Sequence, residues 1–378
     1  MLTPVPNRRA TGSLKWDRRP DLDPFWVADM DFASPQPVID ALKARVEYGV
    51  FGYPVPQPSL YESILSYLQR RMSYQATEDE LVMLGGLVPA LSLAGLAFAQ
   101  PGDSILTCTP SYPPFLGVHK DSQTELITVP HIEVEGVWTF DWEKLVASVK
   151  PNTRVFLLSN PQNPLGRVFT KREMIKLATF CQKLDIILVS DEIHCDLILD
   201  EYETPHFSAL HLPEELRQNT ITLLSPSKTY NIAGLAFAYA VIPDSKIRNR
   251  FSAAKGHTQA EVNIFGYEAA TAAYNEGEPW RQELLSTLRK NRNFLISYLQ
   301  EKIPEIKVPN IEATYLAWLD CSALPHKNPS LVAEKKGGLF LSEGSFFGQA
   351  TATRFNFGCS TARAQEGLEK LVKALRTE

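Results

Sequence analysis

The segment TITLLSPSKTYN, residues 220–231, joins a short apolar run to a polar loop that contains Lys228. The run at 220–224 is rich in β-branched and aliphatic residues, which is typical of a buried strand. Runs of the same kind lie on both sides of it, at 80–84, 104–108, 125–129, 154–159, 186–190 and 235–242. Helical periodicity separates several of them, as between Met174 and Cys181. Apolar strands that alternate with helices predict an α/β fold with a mostly parallel sheet covered on both faces.

The pattern changes near residue 277. A long helical pattern runs from Leu284 to Leu299, alternating runs follow at 314–320 and 353–357, and a further helix ends the chain. The first 35 residues are irregular but include an apolar stretch that has to pack against another part of the protein. We predict a large domain and a smaller α+β domain, with the boundaries 38–278 for the first and 1–37 plus 279–378 for the second.

Composition and charge exclude several classes of protein. The 378 residues include 38 Lys+Arg and 43 Asp+Glu, a net charge of −5 with no block of like charge, so we expect no nucleic-acid partner. No apolar stretch approaches the roughly 20 residues that span a bilayer, and no apolar block follows the charged N-terminus as in a signal peptide. The five scattered cysteines form no C-x-x-C pair. We therefore expect reduced thiols, no metal site and a cytoplasmic location.

Chemically active side chains follow the predicted strands. In open parallel sheets ligands bind outside the carboxyl ends of the strands, so these residues are expected to meet at one edge. They are Gly85 and Gly86 after the run at 80–84, Ser111 and Tyr112 after 104–108, Asn163 after 154–159, Asp191 and His194 after 186–190, and Ser225, Ser227 and Lys228 after 220–224.

Each of these residues allows an ordinary structural interpretation as well. Gly86 with the helix that follows it forms either a phosphate cradle or a plain strand-to-helix turn. Lys228 is either a desolvated, nucleophilic amine or a solvated loop lysine. A buried Asp191 either caps a helix or binds a cation, and Asn163 either donates to a ligand or makes an Asx turn. Their convergence on one edge favours a site.

Seven motifs resemble those of a known family. They are WVADMDF at 26–32, FGYP at 51–54, SYPPF at 111–115, SDEIH at 190–194, SKTYNIAGL at 227–235, ATYLAWLD at 313–320 and RFNFGC at 354–359. In order and spacing they are similar to the fold-type I pyridoxal-phosphate enzymes of the class I/II aminotransferase superfamily. The match is closer still to the cystathionine β-lyase (PatB/MalY-like C–S lyase) branch. The resemblance covers almost the whole chain.

The resemblance implies a pyridoxal 5'-phosphate cofactor and a role for each motif residue. Lys228 would bind the cofactor as a Schiff base and act as general base, and Asp191 would keep the ring nitrogen protonated. The other implied cofactor contacts are stacking by Tyr112, donation to the ring oxygen by Asn163, and phosphate binding by Gly86, Leu87, Val88, Ser225, Ser227 and the neighbouring subunit's Tyr53. His194 would contact the same ring oxygen or be a core histidine, with neither favoured.

For the substrate, the resemblance implies that Arg354 clamps the α-carboxylate and that Asp29 also contributes to the pocket. A surface ion pair is the alternative for Arg354. Two positions depart from common patterns. Many aminotransferases have a phosphate-binding arginine eight residues after the lysine, whereas this chain has Ala236, as the lyase branch does. Relatives often have Pro-Arg where this chain has Ser360-Thr361, and Thr361 is predicted to cap the last helix.

The implied function is carbon–sulfur β-lysis of cystathionine or a cysteine S-conjugate to a thiol, pyruvate and ammonia. A class I/II aminotransferase is the alternative, because it uses the same lysine and ring. A catalytically idle binding or regulatory protein is a third possibility. The resemblance also implies a homodimer with shared active sites that acts on a small amino acid.

Overall fold

The computed structural model describes residues 2–5, 7–256 and 259–376. The helices, in chain order, are α1 Leu14–Asp17, α2 Gln36–Tyr48, α3 Pro58–Met72, α4 Leu87–Phe98, α5 Pro113–Asp121, α6 Trp142–Ser148, α7 Lys171–Lys183, α8 Glu214–Arg217, α9 Ser245–Lys255, α10 Ile264–Glu276, α11 Glu278–Lys302, α12 Pro329–Gly337 and α13 Thr361–Arg376. The strands are β1 Asp23–Pro24, β2 Leu81–Leu84, β3 Ser104–Thr109, β4 Glu125–Pro130, β5 Ile132–Val134, β6 Val137–Thr139, β7 Thr153–Ser159, β8 Ile187–Asp191, β9 Thr220–Leu224, β10 Ala238–Val241, β11 Leu316–Asp320, β12 Leu339–Phe340, β13 Ser342–Glu343 and β14 Ala352–Asn356.

A seven-stranded sheet forms the centre of the protein, in the order β2-β10-β9-β8-β7-β3-β4. Strands β9, β8, β7, β3 and β4 are parallel, and only β10 runs antiparallel to its two neighbours. The predicted mostly parallel α/β sheet is therefore confirmed. Since the parallel strands point the same way, their carboxyl ends lie along one edge.

Apolar side chains cover both faces of this sheet. In β7, Val155 and Leu157 pack on one side with residues of α4, while Phe156 and Leu158 pack on the other with residues of α7. Alternate residues of a strand point to opposite faces, so a strand buried on both sides is apolar throughout. This is why the runs found in the sequence are continuous rather than alternating.

The predicted run at 235–242 is longer than the strand that forms. Ala233–Leu235 is one turn of 3-10 helix, Ala236 has φ +50°, and β10 begins only at Ala238. A left-handed residue cannot continue an extended strand, so the chain turns there before it enters the sheet. Apolar composition alone does not reveal such a turn.

A smaller antiparallel sheet, β11-β14-β13, packs with the C-terminal helices, and the N-terminal segment joins them. β1 pairs in parallel with β12, and the Phe25 ring stacks on Phe355 with centroids 4.7 Å apart. Gly367 of α13 lies beneath Phe25, where an added Cβ would come within 2.5 Å of the ring. The N-terminal apolar stretch thus packs against C-terminal residues. The division at 38–278 stays a prediction.

The prediction that Thr361 caps the last helix is wrong. The Arg363 N–H donates to Ser360 Oγ (3.4 Å), whereas the Thr361 hydroxyl donates to Asn291 Oδ1 (2.8 Å). The helix therefore begins one residue earlier than the pattern indicates, and Ser360 supplies the side-chain acceptor that satisfies a free N–H of its first turn.

All five cysteines are buried, and none is in a disulfide. Among the described residues, no group of three or more His, Cys, Asp or Glu side chains is arranged to hold a metal ion. No helix in the same ranges is both long and apolar enough to cross a membrane.

Candidate active site

A cavity of about 220 Å³ lies at the carboxyl ends of the parallel strands and the N-terminus of α4. Strand β8 ends at Asp191, and the loop after β9 brings Lys228 to the same place. Nine predicted site residues line this cavity: Gly86, Leu87, Val88, Tyr112, Asn163, Asp191, His194, Ser227 and Lys228. The fold thus brings together residues that are up to 142 positions apart in the chain, from Gly86 to Lys228.

Lys228 lines this cavity as a partly buried residue, and among the described residues its amine has no carboxylate hydrogen-bond partner. Its Nζ donates to the carbonyl oxygen of Ala28 (2.7 Å), which also accepts from the Tyr315 hydroxyl (3.0 Å). Burial lowers the pKa of Lys228 to about 8, against the smaller opposing effect of Asp29. About a tenth of the amine is therefore neutral, and hence nucleophilic, at pH 7, far more than for a lysine with the ordinary pKa of 10.5.

Asp191 is a buried carboxylate with little internal compensation. Burial raises its pKa to about 7. Within the described ranges its side chain accepts a single hydrogen bond, from the Ile193 N–H (3.1 Å). A buried carboxylate is costly unless a cation pairs with it, so this position suits a cationic group of a ligand.

The opposite end of the cavity has the features of an anion site. Gly86 precedes α4 with φ +134°, a conformation that L side chains rarely adopt, and this orients the first N–H groups of the helix, at Leu87 and Val88. No side chain in the described part of the chain caps this helix N-terminus. The Ser227 side chain also borders the cavity. Free N–H groups, a helix dipole and a hydroxyl together can hold a phosphate.

Three further side chains border the space between these two ends. Tyr112 lies at the start of α5. Asn163 accepts a hydrogen bond from Arg354 at its Oδ1 (2.9 Å), which leaves its amide hydrogens for a ligand. Burial lowers the pKa of His194 to about 3, and its Nδ1 has no partner among the described residues. His194 is therefore a neutral ring with one unused polar atom.

Arg354 lies beside this cavity and lines a second one. It comes from β14, donates to the Trp26 carbonyl (3.0 Å) as well as to Asn163, and has an unpartnered Nε within the described part of the chain. Burial lowers its pKa to about 10. The alternative of a surface ion pair is wrong, because Arg354 is buried and pairs with no carboxylate among the described residues. A buried guanidinium without a carboxylate is suited to bind one from a substrate.

Comparison with known proteins agrees with this geometry. The sequence model of the family "Aminotransferase class I and II" matches residues 26–371. The chain belongs to this family. It is 35% identical over 380 residues to the cystathionine β-lyase PatB of Bacillus subtilis (strain 168), across 97% of this chain and 98% of that protein. The resemblance predicted from the motifs is confirmed.

Solved structures of similar proteins share the whole fold. Cystalysin from Treponema denticola, whose crystal structure contains a pyridoxal 5'-phosphate cofactor, is 33% identical, with a TM-score of 0.94 over 100% of this chain and 98% of that one. OvoB is 36% identical, with a TM-score of 0.96 over the full length of both chains. The fold-type I architecture predicted for this aminotransferase class I and II family member is thus confirmed.

Three predicted site residues of this family member lie outside both cavities. Ser225 Oγ lies 2.6 Å from the Phe237 carbonyl and 2.8 Å from Ser227 Oγ, so it supports the loop internally. The Asp29 carboxylate is held by both terminal nitrogens of Arg8, each at 3.1 Å. Tyr53 is fully exposed. Their assigned roles stay predictions.

Other groups of the cavity were not selected from the sequence. The Ala28 carbonyl is a backbone group, which no residue pattern reveals. Ser159 and Ile193 line the cavity at the ends of strands that had already been singled out, so counting every residue after each strand would have found them. Phe237 also lines the cavity, but the sequence gave only the signal of a core aromatic, and its position depends on tertiary packing.

Proposed function

We propose that the protein is a pyridoxal-phosphate-dependent carbon–sulfur β-lyase that converts cystathionine or a cysteine S-conjugate to a thiol, pyruvate and ammonia. The observation that carries this proposal is the buried Lys228 amine in the same cavity as the under-compensated Asp191 carboxylate. Overall, the Cβ–S bond breaks, sulfur leaves with the bonding pair and takes a proton, and water supplies the carbonyl oxygen of pyruvate as ammonia is released.

The residues of the cavity fit pyridoxal 5'-phosphate. Lys228 would hold it covalently, Asp191 would pair with its protonated ring nitrogen, and the N-terminus of α4 with Ser227 would hold its phosphate. Tyr112 would pack on the ring, while Asn163 and His194 would contact its oxygen. When bound, this cofactor supplies an electron-withdrawing ring that stabilises negative charge at the substrate's Cα.

The chain's own residues would bind the substrate and move its proton. Arg354 presents a buried guanidinium for the α-carboxylate, where a planar fork orients a carboxylate better than an ammonium does. The Lys228 amine, once free, takes the proton from Cα, which requires its neutral form. The low pKa of Lys228 favours that form.

Ala236 supports the lyase over the aminotransferase. It lines the cavity near the N-terminus of α4, at the position where the sequence lacks the arginine of many aminotransferases. The relative PatB is itself called a cystathionine β-lyase. Both reactions begin with the same proton removal, so the lysine and the carboxylate alone do not separate them.

Product analysis distinguishes the β-lyase from the aminotransferase. The purified protein, loaded with pyridoxal phosphate, is mixed with cystathionine, and we expect pyruvate and a free thiol to form together. A control reaction adds a 2-oxo acid as amino acceptor. If pyruvate is absent while the amino group is transferred to that acceptor, the protein is an aminotransferase and the β-lyase proposal is wrong.

The pKa of Lys228 predicts how cofactor attachment depends on pH. A lysine whose pKa is about 8 is mostly protonated below that pH and mostly neutral above it. Because only the neutral amine attacks a carbonyl, the attachment rate should rise through about pH 8 and level off roughly two units higher. Stopped-flow absorbance with cofactor-free protein measures it. A midpoint near the ordinary lysine pKa of 10.5 would contradict a buried, desolvated amine.

A homodimer is also proposed, with Tyr53 reaching the phosphate in the neighbouring subunit. Large apolar residues are exposed along one segment that includes Tyr53: Val46, Tyr48, Val50, Phe51, Tyr53 and Val55. Clustered exposed apolar residues mark an interaction surface.

The five buried, unpaired cysteines support the proposed cytoplasmic location.

Tyr53→Phe should weaken cofactor retention by about tenfold while leaving the dimer intact, because it removes one hydroxyl but keeps the ring. Equilibrium dialysis and sedimentation velocity measure the two effects. Tyr202→Phe, at another fully exposed tyrosine, is the control. A monomer at micromolar concentration, or unchanged cofactor retention, would count against the shared site.

A further inference from the structure

A second cavity, of about 360 Å³, shares Tyr112 with the cavity of Lys228 and also contains Arg354. It lies between the N-terminal segment, the start of α5 and the chain around β12 and β13. It is larger than the first cavity, which holds the proposed cofactor site. Apart from Arg354 and Tyr112, none of the residues given a role in the lyase chemistry lines this space.

Aromatic rings form its walls. Trp26 and Phe340 are packed with their centroids 5.0 Å apart, and Phe347 lies under the Arg354 guanidinium at 4.8 Å. Phe346 adds a fourth ring and is 63% exposed. With Tyr112, which also lines the cavity, these make five rings. They give large apolar contact area and suit edge-to-face or stacked contact with another ring.

Phe346 lies in a tight turn of the backbone. Gly344 begins the 3-10 turn Gly344–Phe347, and an added Cβ at Gly344 would lie 2.2 Å from the carbonyl oxygens of Gln349 and Ala352. Only glycine allows this approach of backbone to backbone. The exposed ring is therefore held beside the cavity by its backbone rather than by burial.

Charged side chains lie around the rings. Arg18 lies over the face of Trp26 at 5.2 Å, Glu334 is paired with Arg19 (2.8 Å), and Glu343 accepts a hydrogen bond from the Ser345 hydroxyl (2.6 Å). The two carboxylates and Arg18 are thus engaged with protein groups. An uncharged aromatic ring of a ligand would contact the aromatic side chains without competing for the two carboxylates or for Arg18.

We propose that this cavity binds the leaving group, and that the enzyme's preferred substrates are cysteine S-conjugates whose sulfur carries an aromatic ring. The inference rests on the proposed β-lyase function. If Arg354 holds the α-carboxylate, this cavity is the adjoining space large enough for the group attached to sulfur. An aromatic thiol would then be released directly from a pocket of aromatic side chains.

The test compares S-benzyl-L-cysteine with S-methyl-L-cysteine on the cofactor-loaded enzyme, by pyruvate formation. Phe346→Ala should raise KM for the benzyl substrate about tenfold with kcat little changed, and should leave the methyl substrate within about twofold. Tyr202→Ala is the control, because it removes an exposed ring elsewhere and should change neither KM. Phe340→Leu, which keeps apolar volume but removes a ring, should raise the benzyl KM in the same direction.

Binding provides a readout independent of turnover. Benzyl mercaptan, the expected leaving thiol, is titrated into the loaded wild-type and Phe346→Ala enzymes by calorimetry, and its dissociation constant should rise about tenfold in the variant. An unchanged dissociation constant, or equal effects on the benzyl and methyl substrates, overturns the assignment of this cavity.

A third substrate separates this inference from the lyase function itself. β-Chloroalanine has no group to fill the second cavity but undergoes the same elimination. If it yields pyruvate while the benzyl substrate has no advantage over the methyl one, only the leaving-group inference fails. If β-chloroalanine yields no pyruvate either, the β-lyase function fails and the inference fails with it.

Discussion

Lys228→Ala is expected to abolish the absorption band of the Schiff base between lysine and cofactor, and to lower kcat by about 10³-fold or more. That band requires the covalent bond to the lysine amine, whereas unattached cofactor absorbs as the free aldehyde, and the same amine is the proposed base at Cα. Positioned general bases contribute about 10²–10⁴-fold, and the loss of attachment adds to this. Spectroscopy from 300 to 500 nm and pyruvate formation measure the two effects.

The matched control is Lys183→Ala, which removes an exposed lysine from the last turn of α7 and should leave spectrum and rate unchanged. Because Lys228 donates only to the Ala28 carbonyl in the described structure, its truncation leaves no carboxylate hydrogen-bond partner unpaired. The variant should therefore remain folded by circular dichroism. A wild-type visible spectrum in folded Lys228→Ala would refute the proposed attachment.

Asp191→Asn is expected to lower kcat/KM by about 10²–10³-fold while the cofactor still attaches to Lys228. The amide has nearly the size of the carboxylate but carries no charge, so it cannot keep a ring nitrogen protonated. Removing one preorganised electrostatic contact from a buried active site lowers the rate by about 10²–10³-fold. Steady-state kinetics measure the loss, and the visible spectrum confirms attachment.

In the cofactor-free protein the same substitution is expected to remove a cost in stability, whereas it lowers the activity of the loaded enzyme. Burial raises the pKa of Asp191 to about 7, above the 3.8 of an ordinary aspartate. The folded protein then keeps a proton that the unfolded chain loses, so stability falls as pH rises between these two values. Asp191→Asn should remove this part of the pH dependence of Tm. A variant that is both less stable and inactive would indicate simple misfolding instead.

Continuous apolar runs predict the strands of the large sheet because each strand is buried on both faces. The beginning of β10 could not be predicted in this way, since the left-handed turn at Ala236 lies within an apolar run. The cap of α13 was misplaced by one residue because Ser360 and Thr361 are both suitable, and only the contact of Thr361 with Asn291 distinguishes them. A local sequence pattern predicts an element reliably where its burial is uniform. It fails where one backbone angle or one tertiary contact decides where the element begins.

The candidate site likewise contains residues that the sequence could place and residues that it could not. Lys228, Asp191 and Asn163 could be named from the sequence because each follows a strand, and parallel strands bring their ends to one edge. Asp29 and Ser225 could not be placed, since their hydrogen-bond partners, Arg8 and the Phe237 carbonyl, are set by packing.

By itself the sequence determined the fold class, because burial periodicity and strand order are properties of the chain. Its motifs determined the family, and the residues that follow the strands supplied the residue types of the candidate site. Only the tertiary structure decided that the Ala28 carbonyl accepts a hydrogen bond from the lysine amine and that five aromatic side chains line a second cavity. Such contacts join residues hundreds of positions apart, as Trp26 and Phe340 are, and depend on distances that no local pattern contains.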